Sequence, residues 1–324
     1  MKTRNMPLWA LVSLMMSALS SCGVVFDDLP PCPTGVSLRF VYDYNMESAD
    51  AFASQVDCLT VHVYDSEGRH VADITPPPQD LADENMRVRV DLPAGSYHVV
   101  AYGGISCGKA SFAHTSAPVT GSHYTDISMH VKETHIGTLL HDHFHGILDF
   151  TVEDTGPEYK EETVEMTKTT NNFRILLKQL NDEPLRGEDF EFHITDDNRE
   201  LDHTNTPVPS GHDITYPAWT RGENSGVAYG EISTSRLHLS TTPHLIIKSK
   251  NDTRVSDSDN VIVDLPLNKY LLMTKSDASG WGDQEYLDRC SAWNMTFFLD
   301  SDLRWSQTRI IINDWVIRIN DLEQ

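Results

Sequence analysis

The sequence predicts an all-β protein that contains two copies of one β-sandwich. Short runs of β-branched and aromatic residues recur between Gly, Pro, Asn and Asp residues, which is the pattern of strands separated by turns. Segments of similar sequence recur in the two halves in the same order. The chain has 324 residues, more than one compact core usually holds, and two domains are therefore expected.

The first 22 residues have the pattern of a bacterial lipoprotein signal. Lys2 and Arg4 precede an apolar run from Leu8 to Leu19 that is too short to span a bilayer, and small residues lead to Cys22. We expect cleavage before Cys22, whose thiol would carry a covalent lipid such as palmitate. Because two or more acyl chains hold a protein stably on a membrane, the signal predicts anchoring outside the cytoplasm. An ordinary secretory signal that happens to precede a cysteine is the alternative.

The clearest early strands are Val36 to Tyr44, Leu59 to Tyr64, Met86 to Leu92 and Tyr97 to Tyr102. After the first of these, Ala49, Phe52, Ala53 and Val56 fall at helical spacing and predict a short helix within Met46 to Val56.

The evidence for duplication is three pairs of similar segments. Leu38 to Val41 resembles Phe173 to Leu176, Val61 to Asp65 resembles Phe192 to Asp196, and Val90 to Tyr97 resembles Val263 to Tyr270. The charged stretch from Glu153 to Glu162 is the predicted linker. The resulting division is a signal (1–21), a lipidated tether (22–35), an N-terminal sandwich (36–155) and a C-terminal sandwich (156–324).

The charge of the chain limits its partners. Removing Lys2 and Arg4 with the signal leaves 23 basic and 48 acidic residues, a net charge of −25. A nucleic-acid partner is disfavoured because phosphate binding needs a basic face. Asp27 and Asp28 lie just beyond Cys22, and acidic residues at this place route lipoproteins to the outer leaflet in some bacteria. We therefore expect a surface-exposed protein.

Four cysteines remain after Cys22. Cys32, Cys58, Cys107 and Cys290 allow three complete disulfide pairings in an oxidising compartment, and the sequence does not choose among them. Buried free thiols or a single disulfide are the alternatives. No C-x-x-C element is present, which disfavours zinc or redox chemistry.

Four segments resemble the fimbrillin-associated anchor proteins of Bacteroidales type V pili, the minor and major fimbria anchors. These segments are Phe40 to Met46 with Asp50 and Phe52, Leu92 to Tyr97, Leu140 to Gly146, and Glu285 to Trp315. The resemblance implies two tandem transthyretin-like β-sandwich domains, a lipid anchor in the outer membrane and a role at the base of a fimbria. It brings no catalytic residues.

This resemblance implies fimbrillin subunits as partners. Pilus subunits join when a strand of one fills an open groove or edge of the next, and a basal subunit needs to offer such an acceptor. The segment from Thr308 to Asn320 is interpreted as a core strand of the protein itself. A surface glycan-binding or adhesin lipoprotein is the alternative function.

The strongest sequence feature in favour of a different function, metal binding, is the histidine run of His141, His143 and His145. On a strand, alternate residues share a face, so three imidazoles could point the same way and ligate a transition metal. Short histidine runs match by chance, however, and the segment lies where the family has its own Phe-His-Gly ending. We therefore expect no metal and no cofactor other than the lipid.

Two further motifs have ordinary structural explanations. Gly104 to Gly108 fits the G-x-S-x-G nucleophile elbow, but the following residues have no helical periodicity, so an enzyme is not predicted. The tryptophans could form a platform on which glycans stack, although core packing is the commoner fate of such residues. The candidate residues are Trp219, Trp281, Trp293 and Trp305.

Overall fold

The structure is a computed structural model that describes residues 34–154, 158–250 and 260–318. The predicted signal, Cys22, Cys32 and most of the tether lie outside the described residues. The described chain forms two β-sandwiches, which confirms the all-β class. None of its helices is both long and apolar enough to cross a bilayer.

The first sandwich packs a three-stranded sheet, in the order β4-β1-β9, on a five-stranded sheet, in the order β10-β8-β5-β2-β3. The strands of this half are β1 (Gly35–Val41), β2 (Leu59–Tyr64), β3 (His70–Ile74), β4 (Val88–Asp91), β5 (Gly95–Gly103), β6 (Phe112–Ser116), β7 (Ser128–Val131), β8 (Phe144–Val152), β9 (Tyr159–Glu165) and β10 (Thr167–Lys168). Helix α1 (Phe52–Gln55) crosses between the two sheets.

The second sandwich packs a six-stranded sheet, in the order β15-β16-β11-β19-β20-β21, on a four-stranded sheet, in the order β14-β12-β17-β18. Its strands are β11 (Asn171–Gln179), β12 (Phe190–Asp196), β13 (Glu200–Leu201), β14 (Ile214–Pro217), β15 (Thr220–Asn224), β16 (Val227–Thr234), β17 (His244–Ser249), β18 (Val261–Pro266), β19 (Ala292–Leu299), β20 (Trp305–Ile312) and β21 (Trp315–Arg318). Helices α2 (Leu267–Leu272) and α3 (Asp283–Arg289) lie between β18 and β19. Single 3₁₀ turns cover Pro78–Ala82, Tyr124–Asp126, Glu133–His135, Gly187–Asp189 and Asp277–Ser279.

The two sandwiches share one seven-strand topology. Strand β1 pairs antiparallel with β4 and parallel with β9, and β11 pairs in the same senses with β16 and β19. In the facing sheets, the order β3-β2-β5-β8 corresponds to β14-β12-β17-β18. The equivalent strands also follow one another in the same order along the chain, as expected of a duplicated sandwich.

Two of the three predicted sequence pairs fall on equivalent strands. The pair in β1 and β11 and the pair in β2 and β12 match the topology. The third pair is wrong, because Val90 lies in β4 whereas Val263 lies in β18, the equivalent of β8. Tyr97 opens the strand β5, but Tyr270 lies inside helix α2, so that resemblance reflects a shared strand-and-proline pattern.

The predicted boundary after residue 155 lies too early. Part of the predicted linker is the strand β9, which pairs with β1 over its whole length from Tyr159 to Glu165. Strand β10 then pairs with β8 of the same sandwich. The error arises because β9 lies at the edge of its sheet, where most of its residues are polar and exposed. A polar, exposed sequence of this kind is typical of a linker. The first sandwich therefore extends to Lys168.

The predicted helix within Met46 to Val56 is reduced to one turn. Side chains bind the backbone that would otherwise form its first half: the amide of Asn45 donates to the carbonyl oxygens of Tyr42 and Ala49, and Asp50 accepts from the backbone of Tyr42 and Phe52. Such local bonds compete with helix formation.

A third layer covers the outer face of the five-stranded sheet. Strands β6 and β7 pair with each other, and β13 of the second sandwich joins β7 to make a three-stranded sheet. Beneath it lie Tyr64, Val100 and Tyr102, which point away from the main core. Apolar and polar residues alternate along β2, which predicts one buried and one exposed face. The third layer explains why all six residues of β2 are buried.

One disulfide joins Cys58 and Cys107, and Cys290 is buried with a free thiol. The bond ties the start of β2 to the loop after β5, across a sequence separation of 49 residues. Among the described cysteines this matches the alternative of a single disulfide, and Cys32 lies outside the described residues.

Candidate functional site

The junction between the two sandwiches is a two-residue linker that is completely buried. Thr169 and Thr170, both 0 % exposed, separate β10 from β11. The hydroxyl of Thr170 donates to Oδ1 of Asp142 at 3.1 Å, and Lys168 donates to Oδ2 of the same carboxylate at 2.8 Å. One carboxylate therefore holds both ends of the linker.

His143 binds the same linker from the other side. The hydroxyl of Thr169 donates to the carbonyl oxygen of His143, so Nδ1 of His143 donates to that hydroxyl oxygen, at 2.5 Å. The imidazole stacks on Phe112 of the third layer with a centroid distance of 4.3 Å. His145, two residues on, donates from Nε2 to the carbonyl oxygen of His203 in the second sandwich at 2.9 Å. The histidine run thus binds the linker and the second sandwich together.

A backbone ladder provides a second connection. Strand β13, from the second sandwich, pairs with β7 through Glu200 with His130 and Leu201 with Met129. Leu201 is buried in the core of the third layer, and Ser128 donates a hydrogen bond to Glu200 at 2.7 Å. The third layer is therefore shared by both halves of the chain.

Arg289 provides a third connection, from the end of helix α3. Its guanidinium lies over the ring of Tyr44 at 4.3 Å and over Trp281 at 5.0 Å, and it donates to the carbonyl oxygens of Asp43 and Asn45. Stacking of this kind is worth up to about 2 kcal/mol when the cation is largely desolvated.

A buried ion pair orients the helix that carries Arg289. The neighbouring Asp288 accepts two hydrogen bonds from Arg236, at 2.8 and 2.7 Å, and both side chains are largely buried. This planar fork of donors fixes helix α3 against the second sandwich. Arg289 consequently faces the first sandwich from a rigid base.

Three of the four segments that carry the family resemblance meet at this junction. Tyr44 meets Arg289, and Phe144 packs edge-on against Tyr42 with a centroid distance of 5.1 Å. At Gly146 a Cβ atom would lie 2.6 Å from Sδ of Met166 and 2.8 Å from the carbonyl oxygen of Glu165, so only glycine fits. The glycine of the Phe-His-Gly ending is thus required by close packing of β8 on the end of β9.

The histidine run does not bring its three imidazoles together, as the metal-binding alternative would require. Nε2 of His141 lies 3.0 Å from Asp57, whereas His143 and His145 bind the linker and the second sandwich. In residues 34–154, 158–250 and 260–318, the groups of three whose ligand atoms lie within 4.8 Å of one another do not include this trio. Sequence spacing revealed the run, but its partners are distant in sequence.

Burial keeps two of these imidazoles neutral. Desolvation lowers the pKa of His145 to about 4, and the hydrogen bond to the carbonyl oxygen of His203 only partly opposes it. Desolvation, followed by the neighbouring imidazoles of His145, His114 and His141, lowers the pKa of His143 well below its usual range.

The nucleophile-elbow motif and the tryptophans have structural surroundings. Gly104 to Gly108 lies between two strands, and Cys107 is in the disulfide, so the strand-to-helix turn of an elbow is not formed. Trp293 is buried in the core, and Trp281 and Trp305 pack against it. Trp219 is 37 % exposed and lines a cleft of about 240 Å³ together with Leu139 and Arg174.

The last two described strands form a hairpin at the edge of the six-stranded sheet. The predicted single strand from Thr308 to Asn320 is instead β20 and β21, joined by Asn313 and Asp314 at φ of 44° and 69°. Positive φ at both positions is typical of a type I′ turn. The core assignment is correct for Ile310, Ile312 and Ile317 and wrong for Val316, whose side chain is exposed. Ile319 and Asn320 lie outside the described residues.

Strand β21 presents an edge suited to strand addition. Ile312 and Trp315 flank the two-residue turn, so they exchange hydrogen bonds, and at the next pair the amide of Val316 points away from β20. Trp315 and Val316 are 57 % and 56 % exposed. No strand of the described chain pairs with this outer edge.

Residues 29–321 match the fimbrillin-A associated anchor proteins Mfa1 and Mfa2. The chain belongs to this family. The anchor family is not an enzyme family, and its description associates it with fimbrillin. Among curated protein sequences, none matches this chain.

Solved structures of the anchor family and its relatives are similar to this chain. A candidate adhesin from Bacteroides thetaiotaomicron is 44 % identical with a TM-score of 0.82, over 90 % of this chain and 100 % of that one. A candidate polysaccharide-binding protein from the same organism is 27 % identical with a TM-score of 0.77 over the same shares. The fimbrial anchor protein Mfa2 from Porphyromonas gingivalis, at 15 % identity, shares the fold with a TM-score of 0.70 over 89 % of this chain and 99 % of that one.

Replacing Arg289 with Gln should loosen the junction. The variant loses the stacking on Tyr44 and the hydrogen bonds to the Asp43 to Asn45 loop, which together amount to about 2–3 kcal/mol. We expect a lower denaturation midpoint. In small-angle X-ray scattering, the distribution of distances within the molecule should become broader. Arg309→Gln is the matched control, because Arg309 stacks at the same 4.3 Å but on Phe298 of its own sandwich. Unchanged scattering in Arg289→Gln would contradict a role in the junction.

Acidification should destabilise the fold through His145. The pKa of His145 is 6.5 in the unfolded chain and about 4 in the folded protein. The contribution of neutral His145 to the free energy of unfolding is therefore fully present above pH 6.5 and is lost as the pH falls towards 4. Between pH 7 and pH 5 the loss is about 2 kcal/mol. His145→Gln retains a donor for His203 but does not titrate. Between pH 7 and pH 5, the unfolding free energy of this variant should therefore fall by about 2 kcal/mol less than that of the wild type. The exposed His212→Gln is the control, and equal slopes for His145→Gln and wild type would refute the assignment.

Proposed function

We propose that this protein is an outer-membrane lipoprotein that holds a fimbrial polymer at the cell surface. Family membership over residues 29–321 is the observation that carries the proposal. In this role a covalent lipid on Cys22 anchors one end of the protein, and fimbrillin subunits bind elsewhere on it. The lipoprotein signal in residues 1–21 supports the anchor and its placement outside the cytoplasm.

The junction supports a load-bearing role. In this role the lipid on Cys22 precedes the first sandwich, and the polymer binds the second. Force between polymer and membrane then passes through the chain segment that joins the two sandwiches. Here that segment is two buried residues held by Asp142 and His143, and it is reinforced by the β7-β13 ladder and by Arg289. A force applied along the molecule therefore acts on several contacts in parallel.

The proposed contact with the pilin is strand addition at β21. An added strand gains backbone hydrogen bonds from the free edge, and pockets for alternate side chains set its register. The outward amide of Val316 supplies such a bond, and the exposed side chain of Trp315 supplies apolar surface.

Replacing Cys22 with Ala tests the anchor. We expect this variant to leave the membrane fraction and the fimbriae to appear in the culture medium, because no acyl chain then holds the base of the polymer. Cys32→Ala is the matched control and should leave both on the cells. A Cys22→Ala protein that stays in the membrane fraction would refute lipidation, whereas fimbriae that stay attached after its release would refute the anchor role.

Replacing Val316 with Pro tests strand addition. Proline removes the outward N–H without breaking a hydrogen bond to β20, so the fold should be retained while co-purification of fimbrillin with the detergent-extracted protein is lost. Val316→Thr retains the N–H and a β-branched side chain, and it should still bind. Equal recovery of fimbrillin with both variants would exclude this edge as the acceptor.

Polysaccharide binding is the second candidate function. The 27 % identical Bacteroides relative is described in those terms, and the exposed indole of Trp219 lies in a cleft with polar neighbours Asn172, Arg174 and Glu231. Sugars stack on exposed aromatic rings of this kind. Deletion of the gene separates the two functions, because loss of an anchor releases fimbriae and loss of a glycan receptor leaves them attached.

A further inference from the structure

Two imidazoles and a carboxylate converge on the outer face of the first sandwich, away from the junction. His62 lies on β2, and His70 and Asp73 lie on β3. Nδ1 of His62 and Nε2 of His70 each lie 2.6 Å from Oδ1 of Asp73. One ligand atom from each of the three residues lies within 4.8 Å of the other two.

A β-bulge creates this convergence. His62 pairs with Asp73 across the two strands, so both side chains lie on the outer face. In a regular strand, residues three apart point to opposite faces, and His70 would lie on the inner face. The ladder instead shifts between Val63 and Tyr64, so that Ala72 pairs with Val63 and His70 pairs with Tyr64. The unpaired residue between them returns His70 to the outer face.

The protonation states of the group suit a cation. Both imidazoles are buried, with His62 at 3 % and His70 at 8 % exposed, whereas the side chain of Asp73 is 48 % exposed. Burial lowers the pKa of His62 and favours neutral imidazole. Burial raises the pKa of Asp73, but hydrogen bonds from both imidazoles outweigh it and leave that pKa below its usual value. The carboxylate is therefore ionised and reachable from solvent.

We propose that His62, His70 and Asp73 form a binding site for a divalent transition metal ion of the Zn²⁺ type. Two neutral imidazoles and one carboxylate are ligands that Zn²⁺ uses in open sites with three protein ligands and a solvent molecule. The half-exposed carboxylate leaves a path for that fourth ligand and for the metal itself.

Small movements would admit the ion. Ligand atoms about 2.0–2.1 Å from a tetrahedral zinc lie roughly 3.3 Å apart, so the two separations of 2.6 Å must widen by about 0.7 Å. Strand β3 is an edge strand of its sheet, which allows Asp73 to move outward.

Metal binding changes the tautomer of each imidazole. Nδ1 of His62 and Nε2 of His70 now donate to Asp73, and on ligation each hydrogen moves to the remote nitrogen of the same ring. These remote nitrogens are buried and have no hydrogen-bond partner within residues 34–154, 158–250 and 260–318. Ligating imidazoles usually donate their other N–H to an acceptor.

Two tyrosine rings pack against the two imidazoles. Tyr64 lies 5.4 Å from His70 and Tyr102 lies 6.0 Å from His62, between ring centroids. Both phenol oxygens are buried and also lack a partner in the described chain. The site therefore contains buried polar atoms near its imidazoles whose hydrogen-bonding capacity is not used within the described chain.

The other convergent trio, Asp57 with Cys58 and Cys107, does not compete as a site. Both sulfur atoms are joined in the disulfide and are not thiolates.

The test is zinc binding by the untagged, detergent-extracted full-length protein after removal of metals with a chelator. Equilibrium dialysis against ZnCl₂ should give one tightly bound ion per chain. Asp73→Asn and His70→Gln should each weaken this binding by about a hundredfold or more, since even outer-shell partners account for tenfold to hundredfold. Cobalt in place of zinc should give a visible absorption band of low-coordinate, imidazole-ligated Co²⁺ in wild type and not in these variants.

Asp264→Asn is the matched control. His244 and Asp264 form an imidazole–carboxylate pair at the same 2.6 Å, without a second imidazole, so this variant should bind zinc as wild type does. Absence of a stoichiometric ion in wild type would overturn the proposal. Equal zinc binding by wild type, Asp73→Asn and His70→Gln would show that other surface histidines hold the ion. This result would also overturn the proposal.

Discussion

The buried linker between the two sandwiches is the constraint on which the rest of the structure depends. Two residues are too few to form an independent flexible connection, and Thr169 and Thr170 have no exposed surface. Their hydroxyl groups must therefore find partners inside the protein. Asp142 and His143 supply those partners, which places the histidine run at the junction and requires the Phe-His-Gly segment to pack closely against the end of β9.

Local sequence pattern predicted the fold class and several strands. Leu59–Tyr64 matches its predicted bounds, and the resemblances of β1 to β11 and of β2 to β12 identify the duplication. In β2 and β12 apolar and polar residues alternate, so the sequence pattern carries the information. Polar strands at sheet edges do not alternate in this way. Strand β9 was consequently interpreted as a linker, and the boundary between the sandwiches was placed too early.

The sites depended on contacts between residues far apart in sequence. The histidine run was visible as a motif, but Thr169, Thr170 and His203 give it its role from 26 to 58 positions away. The convergence of His62, His70 and Asp73 requires a bulge that no spacing rule reveals. The third layer was also unpredicted, because it buries residues of β2 that a two-layer sandwich would expose. Arg289 was within a recognised segment, yet only the fold shows its contact with Tyr44.

The third layer explains why the first sandwich contains so many histidines. Ten of the fifteen histidines lie between Leu59 and Gly146. A layer between two sheets needs flat side chains that pack like aromatic rings and can still bind the polar groups of a linker, and neutral imidazole meets both needs. His143 does both at once, since it stacks on Phe112 and binds Thr169. The rigidity of the junction and the neutrality of these imidazoles are therefore one property, because protonation of His143 would place an unpaired charge beside the linker it holds.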